Sequence, residues 1–81
     1  MARFYLHLRD GTDELLDEEG NEFPDMETVK AAVREAARDL MSNELKSSGV
    51  VDLRYRIDAE NQAGEVVYSL PFKHAVNIIP E

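Results

Sequence analysis

The sequence has no cysteine, only four glycines and no long apolar run. Without cysteine, the chain can form neither a disulfide scaffold nor a thiolate zinc site, and it has no thiol nucleophile. The four glycines are dispersed, which excludes a glycine-rich phosphate loop. No stretch approaches the roughly 20 apolar residues that cross a bilayer, and the N-terminus lacks the apolar run of a signal peptide. These absences predict a cytoplasmic protein.

The chain is short, and its composition fits a single globular domain over residues 1–81. Its hydrophobic content of 43% is enough for a packed core and argues against disorder. A domain of this size buries only about 60% of the surface that its unfolded chain exposes. Nearly every apolar residue must therefore contribute to the core, which leaves little room for a deep catalytic cavity.

Acidic residues are concentrated in one segment. Between Asp10 and Glu27 the chain carries nine acids and no base, whereas the rest carries eight acids and all nine Lys and Arg residues. The net charge of −8 and the pI of 4.6 oppose binding to nucleic acid. Carboxylates in this segment could gather around Ca²⁺ or Mg²⁺. However, aligning Gly20 with the glycine of an EF-hand loop places Leu15 and Met26 at ligand positions, so we expect a solvated acidic loop without metal.

Two N-terminal segments have the pattern of β-strands. Residues 3–9 alternate, with Phe4, Leu6 and Leu8 on one side, and this period of two is typical of a half-buried strand. Asp10-Gly11 predicts a hairpin turn, and a short second strand is expected over residues 14–17.

The most regular predicted element is a helix over residues 27–45. Asp25 is a good N-cap, since its carboxylate can accept a hydrogen bond from the amide of Thr28. Apolar residues then recur at helical spacing without an intervening Gly or Pro. Ser47-Ser48-Gly49 is expected to end the helix.

A second pair of predicted strands follows the helix. Residues 52–59 and 65–70 alternate, and they are separated by a hairpin-length connection that contains Gly64. Pro71 cannot donate to a strand ladder, so the last strand ends there or lies at an edge. Residues 72–79 are apolar and are compatible with a strand, a helical turn or a tail over the core.

The order β-β-α-β-β predicts an α+β fold. One amphipathic helix cannot bury its apolar stripe alone, so we expect a two-layer sandwich in which the helix covers one face of a four-stranded antiparallel sheet. The predicted core comprises Phe4, Leu6, Leu8, Val29, Val33, Ala36, Leu40, Leu53, Tyr55, Ile57, Val66, Tyr68 and Leu70.

Most of the chain resembles a family of short bacterial proteins known only as a domain of unknown function. The resemblance lies in Arg-Phe-Tyr-Leu-His-Leu-Arg-Asp-Gly at residues 3–11, Asp-Glu-Glu-Gly-Asn-Glu-Phe-Pro-Asp at residues 17–25, the Ala-rich helix and the closing hairpin. Phe4 stands where the family usually has Tyr. The resemblance implies no activity, cofactor or catalytic residue. More distantly, the hairpin-then-helix layout is similar to HicB-type antitoxins, whose small α+β domain binds a toxin partner.

No motif in the sequence indicates catalysis. No serine lies in a Gly-x-Ser-x-Gly context, and nothing predicts burial of the paired carboxylates that acid–base catalysis needs. His7 and His74 are the only imidazoles, and His7 falls on the outward face of a strand, where a surface or interface residue is the usual occupant. We therefore assign no catalytic residue and no cofactor.

Basic and aromatic side chains share the predicted outward face of the sheet. If the first and third strands are neighbours, this face carries Arg3, Tyr5, His7, Arg9, Arg54 and Arg56. Such a mixture occurs on solvated strand faces, in protein interfaces and on single-stranded nucleic-acid platforms.

The function that these patterns favour is a non-enzymatic protein-interaction module that self-associates through the outward face. A small nucleic-acid-binding domain that uses the same Arg/Tyr face is the alternative, and a metal-dependent hydrolase is the third reading. The helix lacks the one-sided basic face of a membrane-surface helix, so no membrane partner is expected.

Overall fold

The computed structural model describes the whole chain, Met1–Glu81, as an antiparallel sheet with one long helix. The elements are β1 (Ala2–Arg9), β2 (Glu14–Leu15), β3 (Asn21–Phe23), α1 (Met26–Ser48), β4 (Arg56–Glu60), β5 (Val66–Pro71) and α2 (Phe72–Ala75). The strand order is β2-β1-β4-β5, and β3 pairs with the other end of β1. The α+β architecture is confirmed, but the predicted number of four strands is wrong because the sheet has five.

The additional strand arises because one edge of the sheet is interrupted. β2 and β3 pair with opposite ends of the same edge of β1. Between them, the side chain of Asp17 takes the place of strand backbone: its carboxylate accepts hydrogen bonds from the Leu6 amide at 3.2 Å and from the Gly20 amide at 3.0 Å. The strand predicted over residues 14–17 is present as β2 but spans only Glu14–Leu15. β3 was missed because three residues are too few for a hydrophobic period to be recognised.

Both ends of α1 are fixed by the residues that the sequence indicated. The Asp25 carboxylate accepts hydrogen bonds from the Thr28 hydroxyl at 2.7 Å and from the Thr28 amide at 2.8 Å, and these bonds lower the pKa of Asp25. Gly49 adopts a left-handed conformation with φ of 73°, and its amide donates to the Leu45 carbonyl. The N-cap and the helix stop are confirmed, although the helix is longer than predicted at each end.

The core lies between α1, the sheet and α2. Its buried members are Val29, Val33, Ala37, Met41, Ile57, Ala59, Leu70, Phe72 and Ala75. Further predicted core residues pack against this cluster while partly exposed, namely Phe4, Leu6, Leu8, Ala36, Tyr55 and Tyr68. Residues 72–75, whose conformation the sequence left open, form the short helix α2 that closes one end of the core. Neither helix carries an apolar stretch of the length that a bilayer crossing requires.

Three predicted core residues are exposed instead. Leu40 lies at the rim of α1, Leu53 lies in the connection before β4, and Val66 lies beside a register shift in the β4–β5 pair. The strand predicted over residues 52–59 begins only at Arg56, so the alternation around Leu53 does not correspond to a strand.

A local side-chain contact explains the late start of β4. The Asp52 carboxylate accepts hydrogen bonds from the amide and the guanidinium of Arg54 at 2.8–3.0 Å. These bonds lower the pKa of Asp52 to about 2. Because an aspartate that binds backbone two residues ahead favours a turn over a strand, residues 52–54 turn before the chain enters the sheet.

Candidate functional site

The predicted interaction residues do not all lie on one face. β1 and β4 are neighbours, which is the arrangement that the shared face required, and Arg9 is the register partner of Arg56. Arg3, Tyr5, His7, Arg9 and Arg56 belong to the strand positions that face away from α1. Arg54 lies outside the strands, with its side chain 82% exposed and paired with Asp52.

Acidic residues on the same face neutralise the arginines. The Asp58 carboxylate accepts hydrogen bonds from Arg9 Nη1 at 2.9 Å, from Arg56 Nε at 3.1 Å and from the Ser69 hydroxyl at 2.6 Å. Arg9 also donates to Glu60 at 3.0 Å. We call these five residues the outer-face network. The period of two that aligns Arg56 with Arg9 also places Asp58 and Glu60 on this face, so the predicted basic surface is close to neutral.

The outer-face network is held in its charged form. Burial raises the pKa of Asp58, but the hydrogen bonds from Ser69 and Arg9 and the charge of Arg56 outweigh this effect, so the pKa lies below its usual value. The pKa of Arg9 is raised above its usual value, chiefly by its hydrogen bond to Asp58. Both groups are therefore ionised at neutral pH.

His7 is buried within this face, which corrects the prediction of a surface or interface residue. Its Nδ1 accepts a hydrogen bond from the Asp17 amide at 3.0 Å, and its Nε2 lies 3.5 Å from Glu60 Oε1. Since a nitrogen that accepts a hydrogen bond carries no proton, the neutral ring is the Nε2–H tautomer, directed at Glu60. The ring of Tyr5 stacks on His7 with an interplanar angle of 9°. The interrupted edge around Asp17 thus folds over His7 and buries it.

The chemistry of the outer face is that of a structural network. Every buried side-chain nitrogen and oxygen has a hydrogen-bond partner. No group of three or more His, Asp or Glu side chains is arranged to hold a metal ion. Arg9, Arg56 and Asp58 line an open polar depression of about 350 Å³ together with Asp13 and Glu14. Their charged groups are bound to one another, so the face connects β1, β4 and β5.

An apolar groove on the opposite side of the sheet was not predicted. It runs between α1 and the β1–β2 edge and is lined by Leu6, Leu8, Leu15, Leu16, Ala36, Leu40 and Ile57. At Leu8 and Leu40 it continues into a depression of about 310 Å³, whose apolar lining adds Met41, Val50, Tyr55 and Phe72. We call the combined surface the apolar groove.

Three leucines of the apolar groove are open to solvent. Leu15 is 69% exposed, Leu16 is 47% exposed and Leu40 is 36% exposed. Leu15 is the register partner of Leu8 and therefore belongs to the helix side of the sheet. However, α1 lies mainly against β3, β4 and β5, so it leaves the helix side of β2 uncovered. The signal in the sequence was a pair of leucines inside the acidic segment, without a second helix to cover them.

The charged side chains that line the apolar groove are all carboxylates. Asp17 lies at one end, and Glu44 and Asp52 lie around the deeper depression. No Lys, Arg or His contributes to the lining. The groove therefore combines an apolar floor with a negative rim.

Comparison with known proteins identifies the family but no activity. No curated protein and no solved structure matches the chain. A family model matches residues 3–73, which include the whole of α1 and all strand residues except Ala2. The chain therefore belongs to the family described as "Domain of unknown function (DUF6894)".

Proposed function

We propose that the protein is a non-enzymatic interaction module that binds a segment of another protein in the apolar groove. The observation that carries this proposal is the exposure of Leu15, Leu16 and Leu40 around one continuous surface. Contiguous exposed apolar patches are uncommon on small monomeric domains, and they mark interaction sites when polar residues surround them. A protein-binding role is also what the distant resemblance of the hairpin-then-helix layout to HicB-type antitoxins implies.

The outer face is less suited to binding than the apolar groove. Arg9 is already bound to Asp58, Glu60 and Glu14, and Arg56 is bound to Asp58. A partner that covered this face would have to desolvate these ion pairs, at a cost that new contacts often fail to offset. Self-association through the face that carries Tyr5 and Arg56 stays a prediction, and nucleic-acid binding draws no support from arginines that are neutralised in place.

The edges of the sheet are protected against strand addition. One edge is divided between β2 and β3 by the Asp17 interruption. The other edge, β5, has a register shift opposite Ala59 and Glu60 and ends at Pro71. Bulges, short strands and proline are the devices that keep edge strands from pairing with other chains. A partner that adds a strand is therefore a poor fit.

Site-specific crosslinking in the cells that produce the protein tests the proposal. A photoreactive residue would replace Leu16 in the apolar groove or, as a control of similar exposure, Val67 on β5. We expect a discrete protein adduct from position 16 and none from position 67. Equal adducts at both positions, or none at position 16, would show that the groove is not a binding surface.

A further inference from the structure

We infer that the partner segment of the apolar groove is a basic amphipathic helix, with aliphatic side chains on one face and Lys or Arg beside them. This inference rests on the proposed function and adds the chemical class of the partner. It is carried by charge complementarity between such a segment and the rim of the groove.

The rim supplies negative charge without compensation inside the groove. The Asp17 carboxylate accepts hydrogen bonds from the amides of Leu6 and Gly20, but these uncharged donors do not neutralise its charge. The Glu44 carboxylate accepts a side-chain hydrogen bond only from the Ser48 hydroxyl. Both carboxylates therefore attract cations, whereas Asp52 is already paired with Arg54.

The surrounding chain reinforces the same sign of charge. Leu15 and Leu16 lie within the stretch from Asp10 to Glu27 that holds nine acids and no base, and the whole chain has a net charge of −8. Such a field accelerates the approach of a cationic partner and repels an acidic one, including a second copy of this chain.

The shape of the groove suits a helix. One wall is α1, and aliphatic side chains from β1, β2 and α1 form the floor. An amphipathic helix presents aliphatic residues at a spacing of three and four, which fills such a groove while its polar flanks reach the rim. Lysine or arginine on those flanks would lie beside Asp17 and Glu44.

Binding of designed helical peptides, measured by fluorescence anisotropy, tests this inference. One peptide has leucines on one face and lysine at every charged position, a second has glutamate at those positions, and a third has serine in place of the leucines. We expect the lysine peptide to bind at least about tenfold more tightly than the glutamate peptide. Its affinity should fall as salt is added, and the serine peptide should not bind.

Matched variants locate the binding surface. Leu15→Ser/Leu16→Ser should lower the affinity for the lysine peptide at least about tenfold. Leu45→Ser, at another exposed leucine, should leave this affinity unchanged. Glu44→Lys should weaken binding of the lysine peptide. Glu35→Lys makes the same charge change on another side of α1, away from the groove, and should weaken this binding less. Equal unfolding midpoints would show that all four variants are folded.

Each contrary result has a distinct meaning. Equal affinity for the lysine and glutamate peptides would refute the inference that the partner is basic, while the proposal that the groove is a binding surface would still hold. Failure of both peptides to bind would count against the groove itself. Binding that is insensitive to Leu15→Ser/Leu16→Ser would assign the attraction to the acidic segment in general. A dimer that this double variant dissociates, seen by sedimentation, would make a second copy the occupant.

Discussion

Removal of the Asp58 carboxylate should strongly destabilise the fold. Asp58 is 3% exposed and accepts hydrogen bonds from Arg9, Arg56 and Ser69, which lie on three different strands. Asp58→Ala would remove these bonds and leave two guanidinium groups together on one face without their shared anion. The side-chain connection to β5 through Ser69 would be lost, while the Arg9–Glu60 pair would still join β1 to β4 on that side of the sheet.

The size of this effect follows from burial. Truncating one partner of a buried ion pair costs about 3–5 kcal/mol, and hydrogen bonds to charged groups contribute about 1.5–3 kcal/mol each. The side chains of Arg9 and Arg56 are 19% and 40% exposed, so water recovers part of the loss. We therefore expect Asp58→Ala to lower the free energy of unfolding by about 2–4 kcal/mol. A domain of this length has only about 4–12 kcal/mol in total.

Urea denaturation at several pH values checks this prediction. With an m-value of about 1–2 kcal/mol/M, the urea midpoint should fall by at least about 1 M. The pKa of Asp58 is lower in the folded protein than in the unfolded chain. Its contribution is therefore complete above the unfolded value of about 3.9 and disappears as the pH falls through the lower folded value. The difference between Asp58→Ala and the unmodified protein should shrink in that acidic range.

Two control variants separate the network from ordinary surface effects. Ser69→Ala removes a single hydrogen bond and should cost about 0.5–1.5 kcal/mol. Glu22→Ala removes an exposed ion pair with Arg3, which has a separation of 4.0 Å, and should change stability by less than about 1 kcal/mol. If Asp58→Ala is no more destabilising than Ser69→Ala, the network does not hold the strands together and the reasoning is refuted.

Three further predictions concern other elements of the fold. Asp25→Ala should lower the denaturation midpoint because it removes the N-cap, whereas Asp25→Asn should retain most of the stability of the parent protein. Equal losses in both variants would contradict the role of Asp25 as N-cap. Gly20→Ala should cost more than Gly64→Ala, since both glycines have positive φ but only the Cβ at position 20 would approach the Tyr5 ring, at 2.8 Å; calorimetry would compare them. Tyr5→Glu/Arg56→Glu should shift the protein towards monomer in sedimentation if the outer face self-associates, and an already monomeric parent protein would contradict that association.

Local sequence signals predicted the elements whose stability is local. The helix α1 follows from its period and its caps, because Asp25 and Gly49 bind backbone within a few residues of themselves. The β4–β5 hairpin follows from the alternation of its two segments and from the connection that contains Gly64. The pairing of β1 with β4 was only assumed, because alternation does not give the strand order. For α1, whose caps bind backbone within a few residues, the sequence pattern was sufficient.

The errors arise where a distant contact or a local side chain overrides the pattern. Alternation around Leu53 predicted a strand, but Asp52 binds Arg54 and turns the chain. His7 was expected at the surface, but the amide of Asp17 reaches its ring across the interrupted edge. Alternation also does not show which residues of neighbouring strands lie beside each other. The ion pair between Arg9 and Asp58 could therefore be identified only from the register of β1 and β4.

A two-layer sandwich with one helix leaves two surfaces of the sheet uncovered, namely the outer face and the part of the helix side beyond α1. In this chain the two surfaces differ in chemistry. On the outer face, cations and anions from neighbouring strands satisfy one another, so the face is stable in water and contributes to the fold. On the helix side beyond α1, Leu15 and Leu16 are 69% and 47% exposed. Polar residues at these positions would improve solubility. This exposure of apolar side chains supports the proposal that a partner covers the apolar groove.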